Sequence, residues 1–292
     1  MELIETIAAF RQARARFVRL GLVPTMGYLH AGHLSLVRQA RDECGAVAVS
    51  IFVNPTQFGP REDLSRYPRN LEHDLQLLRE EKVDLVFVPS VAEIYPPGFS
   101  TFIDVRDVTE MLEGAARPGH FQGVATAVCK LFNIVQPTWA YFGQKDAQQT
   151  VVVRKMVRDL DMPLEVVVAP TTREPDGLAM SSRNVYLSAE QRRAATVLYR
   201  ALSAAGERYA AGERDAEALR QAMRAVLDAE PLARPEYVSV TDTLTLRELD
   251  RVGASGALCS LAVRFGPTRL IDNKLLGARA LAAQGMVDKM TR

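Results

Sequence analysis

The chain has 292 residues, 48% hydrophobic and 24% charged, with 36 basic against 35 acidic side chains. That length passes the size at which a single core splits, so two domains are expected; the net charge of +1 excludes a global field that would draw nucleic acid. No apolar stretch approaches the roughly 20 residues of a membrane span and no basic-then-apolar leader opens the chain, so a cytoplasmic protein is expected.

In chain order, residues 18–24 are an apolar run that predicts a strand. It runs into Pro24-Thr25-Met26-Gly27-Tyr28-Leu29-His30-Ala31-Gly32-His33-Leu34, which holds two of the four histidines, and helix-like spacing follows over 34–44. A second strand is predicted at 46–53, where Val47-Ala48-Val49-Ser50-Ile51-Phe52-Val53 is nearly unbroken apolar sequence. Helix 71–81, strand 83–88, helix 124–134, strand 139–142, helix 147–159 and strand 164–169 complete the alternation. The stretches 56–68 and 96–120 are irregular, as binding loops often are. Continuous apolar strands alternating with helices predict a doubly wound, Rossmann-like parallel sheet covered on both faces, over 1–170. In such sheets ligands bind beyond the carboxyl ends of the strands. Amphipathic stretches at 189–210 and 215–229, then short strands at 237–241, 257–265 and 269–271, predict a smaller α+β domain over 171–292. The cysteines Cys44, Cys129 and Cys259 are scattered among apolar neighbours and read as reduced thiols, with no disulfide framework or zinc spacing.

Chemistry-bearing residues gather after the predicted strand ends. In the first such segment, Gly27 and Gly32 allow close backbone approach, and His30 and His33 at a helix start suit phosphate; a polar turn with locally satisfied histidines is the plain alternative. Asn54 and Gln57 can fix a small polar substrate, or form an ordinary Asn-Pro turn. Lys145 and Asp146, after Gly143-Gln144, offer a phosphate cation and a cap, or a solvated pair at a helix start. Met180-Ser181-Ser182-Arg183 supplies two hydroxyls and a guanidinium for phosphate, or a hairpin running into a capped helix. Arg117 and His120 could meet a carboxylate, or sit in an exposed loop.

Six ordered segments, PTMGYLHAGH, SIFVNPTQFG, YPRN, RPGHFQGV, YFGQKDAQQ and REPDGLAMSSRN, together closely resemble the pantothenate synthetase (pantoate–β-alanine ligase) family. His-x-Gly-His alone marks only the wider nucleotidyltransferase superfamily. The resemblance implies an ATP- and magnesium-dependent ligase that joins (R)-pantoate to β-alanine through a pantoyl adenylate, releasing AMP and pyrophosphate. It also implies a homodimer built through the first domain, with the second closing as a lid. By the same resemblance His33, His30, Lys145, Ser181, Ser182 and Arg183 are catalytic. ATP would lie along Met26, Gly27, Tyr28, Leu29, His30, Ala31, Gly32, His33, Gly143, Gln144, Lys145, Asp146, Thr172, Met180, Ser181, Ser182 and Arg183. Pantoate and β-alanine would meet Gln57, Gln149, Met26, Asn54 and Arg117, and Asp74 would hold magnesium. Two departures stand out: Thr172 occupies a position where valine is expected, and Glu72-His73-Asp74 is less acidic than the family pattern.

Overall fold

The computed structural model describes residues 1–60 and 62–277; the end of the expected second domain, 278–292, and Arg61 in the irregular stretch 56–68 lie outside the described residues. The chain forms two compact units, one of Met1–Gly143 with Gln148–Ala169, the other of Gln144–Ala147 with the chain from Pro170 on.

The first unit is built on six strands: β1 (Glu2–Ile4), β2 (Gly21–Thr25), β3 (Val47–Ile51), β4 (Leu85–Phe87), β5 (Trp139–Gly143) and β6 (Glu165–Ala169). All pair in parallel, in the order β1-β4-β3-β2-β5-β6. Its helices are α1 (Ile7–Arg14), α2 (Ala31–Cys44), α3 (Leu71–Glu80), the short α4 (Val91–Ile94) and α5 (Glu113–Ala116), α6 (His120–Val135) and α7 (Ala147–Asp159). Every residue of β3 is buried, so both of its faces are covered, as its unbroken apolar run predicts. On one face Val47 and Val49 join Leu36, Val37 and Ala40 of α2 and Leu75 and Leu78 of α3 in one cluster. Strand alternation puts Phe87 on the other face, where its ring centroid lies 5.0 Å from that of Phe10 in α1.

From β2 the chain steps through β3 to β4 on one side, then crosses to the far side of β2 for β5 and β6. The reversal therefore lies between β2 and β5, which pair Gly21 with Trp139 and Leu22 with Ala140. A sheet of this kind opens a crevice at that point, beyond its carboxyl edge. The segments after β2 and after β5 both start there.

In the second unit α8 (Ala189–Ala194), α9 (Val197–Ala210) and α10 (Ala216–Asp228) cover an antiparallel sheet of β7 (Arg234–Thr241), β8 (Ala257–Phe265) and β9 (Thr268–Leu276). Leu198, Leu202, Leu219 and Met223 pack with Val240, Leu261, Val263 and Phe265. The single amphipathic stretch expected over 189–210 is two helices. Thr196 lies at the break, its hydroxyl donating to Arg193 O at 2.9 Å, a local bond that competes with the helix ladder. Strand β9 is three times longer than the run at 269–271 suggested, because Asp272 and Asn273 inside it are buried polar residues that interrupt the apolar pattern. Edge strand β1 and helix α1 had no expectation; three residues are too few to show a period.

Candidate active site

Strand β2 ends at Thr25, whose hydroxyl donates to Ser50 O at 2.8 Å and accepts from the Gly27 N–H at 3.1 Å. The chain then turns through two left-handed residues, Gly27 at φ 81° and Tyr28 at φ 53°. A side chain at 27 would start 3.0 Å from both Asp74 Oδ2 and Ile51 Cγ2, so glycine is required there. The unfavourable backbone at Tyr28 is held from α3: Asp74 Oδ2 accepts from the Tyr28 N–H at 2.8 Å and Oδ1 from the Leu29 N–H at 2.7 Å. Burial pushes the Asp74 carboxyl above its ordinary range, and the two N–H groups draw it back down.

The helix that follows starts at Ala31, three residues before its apolar spacing begins, because the two histidines cap it reciprocally. His30 Nδ1 accepts from the Gly32 N–H at 3.2 Å, and His33 Nδ1 accepts from the His30 N–H at 3.3 Å. This is the geometry of a Ser-x-x-Glu capping box made from imidazoles. An Nδ1 that accepts leaves the proton of the neutral ring on Nε2. Each ring therefore has a donor nitrogen suited to an oxyanion, with the ring centroids 4.0 Å apart. The first turn of α2 carries no acidic residue of its own, so no side chain of the helix itself opposes the anion that its dipole favours.

The segment after β3 is held just as closely. Asn54, 2% exposed, donates to Gln57 Oε1 and to Gly123 O, each at 3.0 Å. Its Oδ1 accepts from the Thr56 hydroxyl at 2.8 Å and the Tyr95 hydroxyl at 2.9 Å. Gln57 in turn donates to Met26 Sδ at 3.1 Å, which ties this segment to the turn after β2. Gly123 lets α6 approach: a Cβ there would lie 2.4 Å from Thr56 O and 2.7 Å from Gln57 N. His120 Nδ1 sits 2.9 Å from Gln57 O, and its Nε2 sits 3.0 Å from Arg117 Nη1. A carbonyl on one side and a guanidinium on the other fix the tautomer: Nδ1 donates and Nε2 accepts. Burial and the neighbouring Arg117 push this imidazole down to about 4. Arg117 is itself gripped by Glu62 through two bonds of 2.8 and 2.6 Å.

Asn54 and Arg117, expected against the substrate, are held here by intramolecular bonds: the Asn54 amide to its own loop and to Gly123 O, the Arg117 guanidinium to Glu62, His120 and Gln57 O. Both frame Gln57. Tyr95, His120 and Gly123 complete that frame, and only His120 was singled out by sequence. Gly123, in the first turn of the apolar helix α6, was the one legible hint among the others.

After β5, Gln144–Asp146 form a 3-10 turn leading into α7, with Lys145 Nζ 3.6 Å from Asp146 Oδ1. Gln148 is buried and accepts from the Glu113 N–H at 2.9 Å while donating to Val108 O and Met111 O, each at 2.8 Å; it pins the irregular stretch 96–120. Gln149 beside it is half-buried. In the second unit the Met180 N–H donates to Thr172 O at 3.0 Å, and Arg173 bridges antiparallel to Ala179. The expected hairpin leads into a short 3-10 helix, Ser182–Tyr186, capped by Ser181 Oγ accepting from the Arg183 N–H at 3.3 Å.

Magnesium does not fit the residues that were to hold it. Asp74 is 1% exposed with both oxygens engaged by the site turn, while Glu72 and His73 are exposed. Among the described residues no group of three or more His, Cys, Asp or Glu could hold a metal. Asp74 is a frame residue for Tyr28 and Leu29.

A parallel sheet whose switch point opens onto a histidine-capped helix, flanked by a framed glutamine, defines an α/β enzyme of the nucleotide-handling class. No described helix is long and apolar enough to cross a membrane. The pantoate-beta-alanine ligase family model matches residues 2–275. A pantothenate synthetase of Chloroflexus aurantiacus is 72% identical over 276 residues, covering 94% of this chain and 98% of the relative. The crystal structure of pantothenate synthetase from Thermus thermophilus superposes with a TM-score of 0.90 at 52% identity, over 94% of this chain and 99% of that one. A pantoate–β-alanine ligase from Francisella tularensis, complexed with β-γ ATP and β-alanine, superposes at 0.78 with 35% identity, over 94% and 97%. The chain belongs to the pantoate–β-alanine ligase family.

Proposed function

We propose that the two histidines of the capping box hold the phosphates of ATP while the carboxylate of (R)-pantoate attacks the α-phosphorus. The oxygen–phosphorus bond forms, the bond to pyrophosphate breaks, and pantoyl adenylate results. The amine of β-alanine then attacks the acyl carbon, AMP departs with the bonding electrons, and the amine proton passes to solvent. The observation that carries this reading is the pair of Nδ1 acceptors at His30 and His33. It puts the N–H of each neutral ring at Nε2, to meet charge that grows on the phosphoryl oxygens, a preorganised form of transition-state stabilisation.

Gln57 and Gln149 grip pantoate, with Met26 lining its pocket; the frame around Gln57 supports this, since positioning error at a reacting group is costly. Tyr28, Leu29, Ala31 and Gly32 supply backbone along ATP. Gly143 and Asp146 lie along its ribose and adenine, with Gln144, Thr172 and Met180 around the nucleotide. Lys145, Ser181, Ser182 and Arg183 bring cation and hydroxyl donors to the phosphates. The second unit, residues 171–292 in the sequence reading, acts as a lid that shields the adenylate from water. Magnesium enters with the nucleotide phosphates, as it does where proteins supply few ligands. The assembly is a cytoplasmic homodimer joined through the first unit, testable by sedimentation.

Release of AMP is the deciding assay. Release of AMP should require ATP, pantoate and β-alanine together, whereas the pyrophosphate of adenylate formation should require only ATP and pantoate. AMP transfer to an acceptor with no consumption of β-alanine would overturn this reading in favour of a plain nucleotidyltransferase.

A further inference from the structure

Strand β9 carries Asn273, which lies beyond every segment that sequence reasoning connected with the site. It is 5% exposed and makes three side-chain hydrogen bonds, all to the turn after β5. Its Nδ2 donates to Gln144 O at 2.9 Å and to Lys145 O at 2.8 Å, and its Oδ1 accepts from Gln144 Nε2 at 3.0 Å. Two adjacent carbonyls can be satisfied only by the amide nitrogen, so the orientation of this side chain is set by its partners. Asn273 is itself anchored. Its N–H donates to Asp272 Oδ1 at 2.8 Å, and Asp272, 2% exposed, takes Arg173 in a two-point ion pair of 2.6 and 2.9 Å. Arg173 follows Thr172 directly and donates to Gly177 O at 3.0 Å. One chain of bonds thus runs from the 172–179 hairpin through β9 to the backbone of Lys145. The same grouping appears in the division of the chain, where Gln144–Ala147 belongs with the unit that contains β9 and not with the sheet on either side of it.

We propose that Asn273 is a positioning residue for Lys145: by fixing the 144 and 145 peptide planes it aims the lysine at the nucleotide phosphates. This rests on the reading of Lys145 given above. Fixing two peptide planes fixes the Cα–Cβ direction of the residues they flank, and a misplacement of about 1 Å at a charged contact can cost about 10²-fold in rate.

A double-mutant cycle on the full-length enzyme tests this. Asn273→Ala should lower kcat/KM for ATP by about 10- to 10²-fold and leave KM for pantoate within about twofold, because Gln57 and Gln149 lie in the other unit; the same substitution made on Lys145→Ala should cost less than about twofold more, as expected for groups acting as one. A merely structural role would lower the active fraction for every substrate alike and add to the Lys145→Ala loss, and either result overturns the proposal. Asn273→Ser carries the same cycle if the alanine variant does not fold, and failure of both to fold makes Asn273 a folding residue and ends the proposal. Full activity in Lys145→Ala alone would instead overturn the reading of the site.

Discussion

The turn after β2 is closed partly by its own atoms, two histidines and a threonine bonding to backbone a few residues away, and partly by Asp74 of α3, Ser50 of β3 and Gln57. The turn after β5 is held by a side chain 128 residues further along. Both present groups suited to phosphate, yet they depend on different parts of the molecule. The first is complete once the sheet and its helices form. The second leans on Asn273 of β9, so on the proposal above Lys145 is aimed only once β9 is in place. The segment after β3 stands between these cases, drawing on Gly123, His120 and Arg117 roughly sixty residues away.

The largest expected effect lies at the turn after β2. His33→Ala removes a donor and half of the capping box together, and should slow adenylate formation by about 10²–10³-fold, measured as pyrophosphate release. Unchanged release would strip His33 of its role. A pH series probes the intermediate case. The His120 imidazole, faced by Arg117, Glu62 and Glu113, titrates at about 4 in the fold against an ordinary 6.5. Between those values the unfolded chain binds a proton that the folded one refuses. Stability should therefore fall as the pH drops from about 6.5 to about 4, by about 3 kcal/mol in full. Denaturant titrations should show this slope reduced in His120→Gln; equal slopes would mean that the ring is not held neutral.

Gly123→Ala sets a Cβ against the Thr56 carbonyl and should destabilise by about 1–3 kcal/mol, with a raised KM for pantoate as Gln57 is displaced. A rise in KM for ATP alone would detach Gln57 from pantoate. The smallest effect separates stability from positioning in the second unit. Asp215 caps α10 by accepting from the Ala218 N–H at 2.7 Å, away from β9. Asp215→Ala should cost about 1 kcal/mol of stability and leave turnover as it was. A matching loss of turnover would mean that any loosening of this unit misaims Lys145, and that Asn273 has no special part.

The same contrast governs what could be read from the sequence. The parallel sheet was legible because β2, β3 and β5 are apolar runs bounded by turns, and β3 needs cover on both faces to be stable. The His30–His33 turn was legible as a candidate because its partners are neighbours in the chain. The frames were not. Asp74 was a magnesium ligand by family resemblance, and an acidic residue on a polar stretch gives no sign that its oxygens will meet the backbone of residues 28 and 29. The ion pair of Arg117 was not legible because its partner Glu62 lies in an irregular loop. Asn273 gave no signal at all, and together with Asp272 it concealed most of its strand. Buried polar residues of this kind are satisfied by groups distant in sequence, so pattern reading locates the surfaces that do chemistry before the residues that hold them still.

A helix that begins on two imidazoles has given up the serine and glutamate that ordinarily begin one. Replacing His30 by Ser and His33 by Glu would install the usual capping box and put a negative charge at the positive end of α2, a gain of about 1 kcal/mol or more. On the proposed reading it would also set a carboxylate where phosphate is to sit. The double variant should melt higher than the natural chain and form no adenylate. On the proposed reading of the two histidines, this turn holds phosphate with a cap weaker than its own backbone would allow.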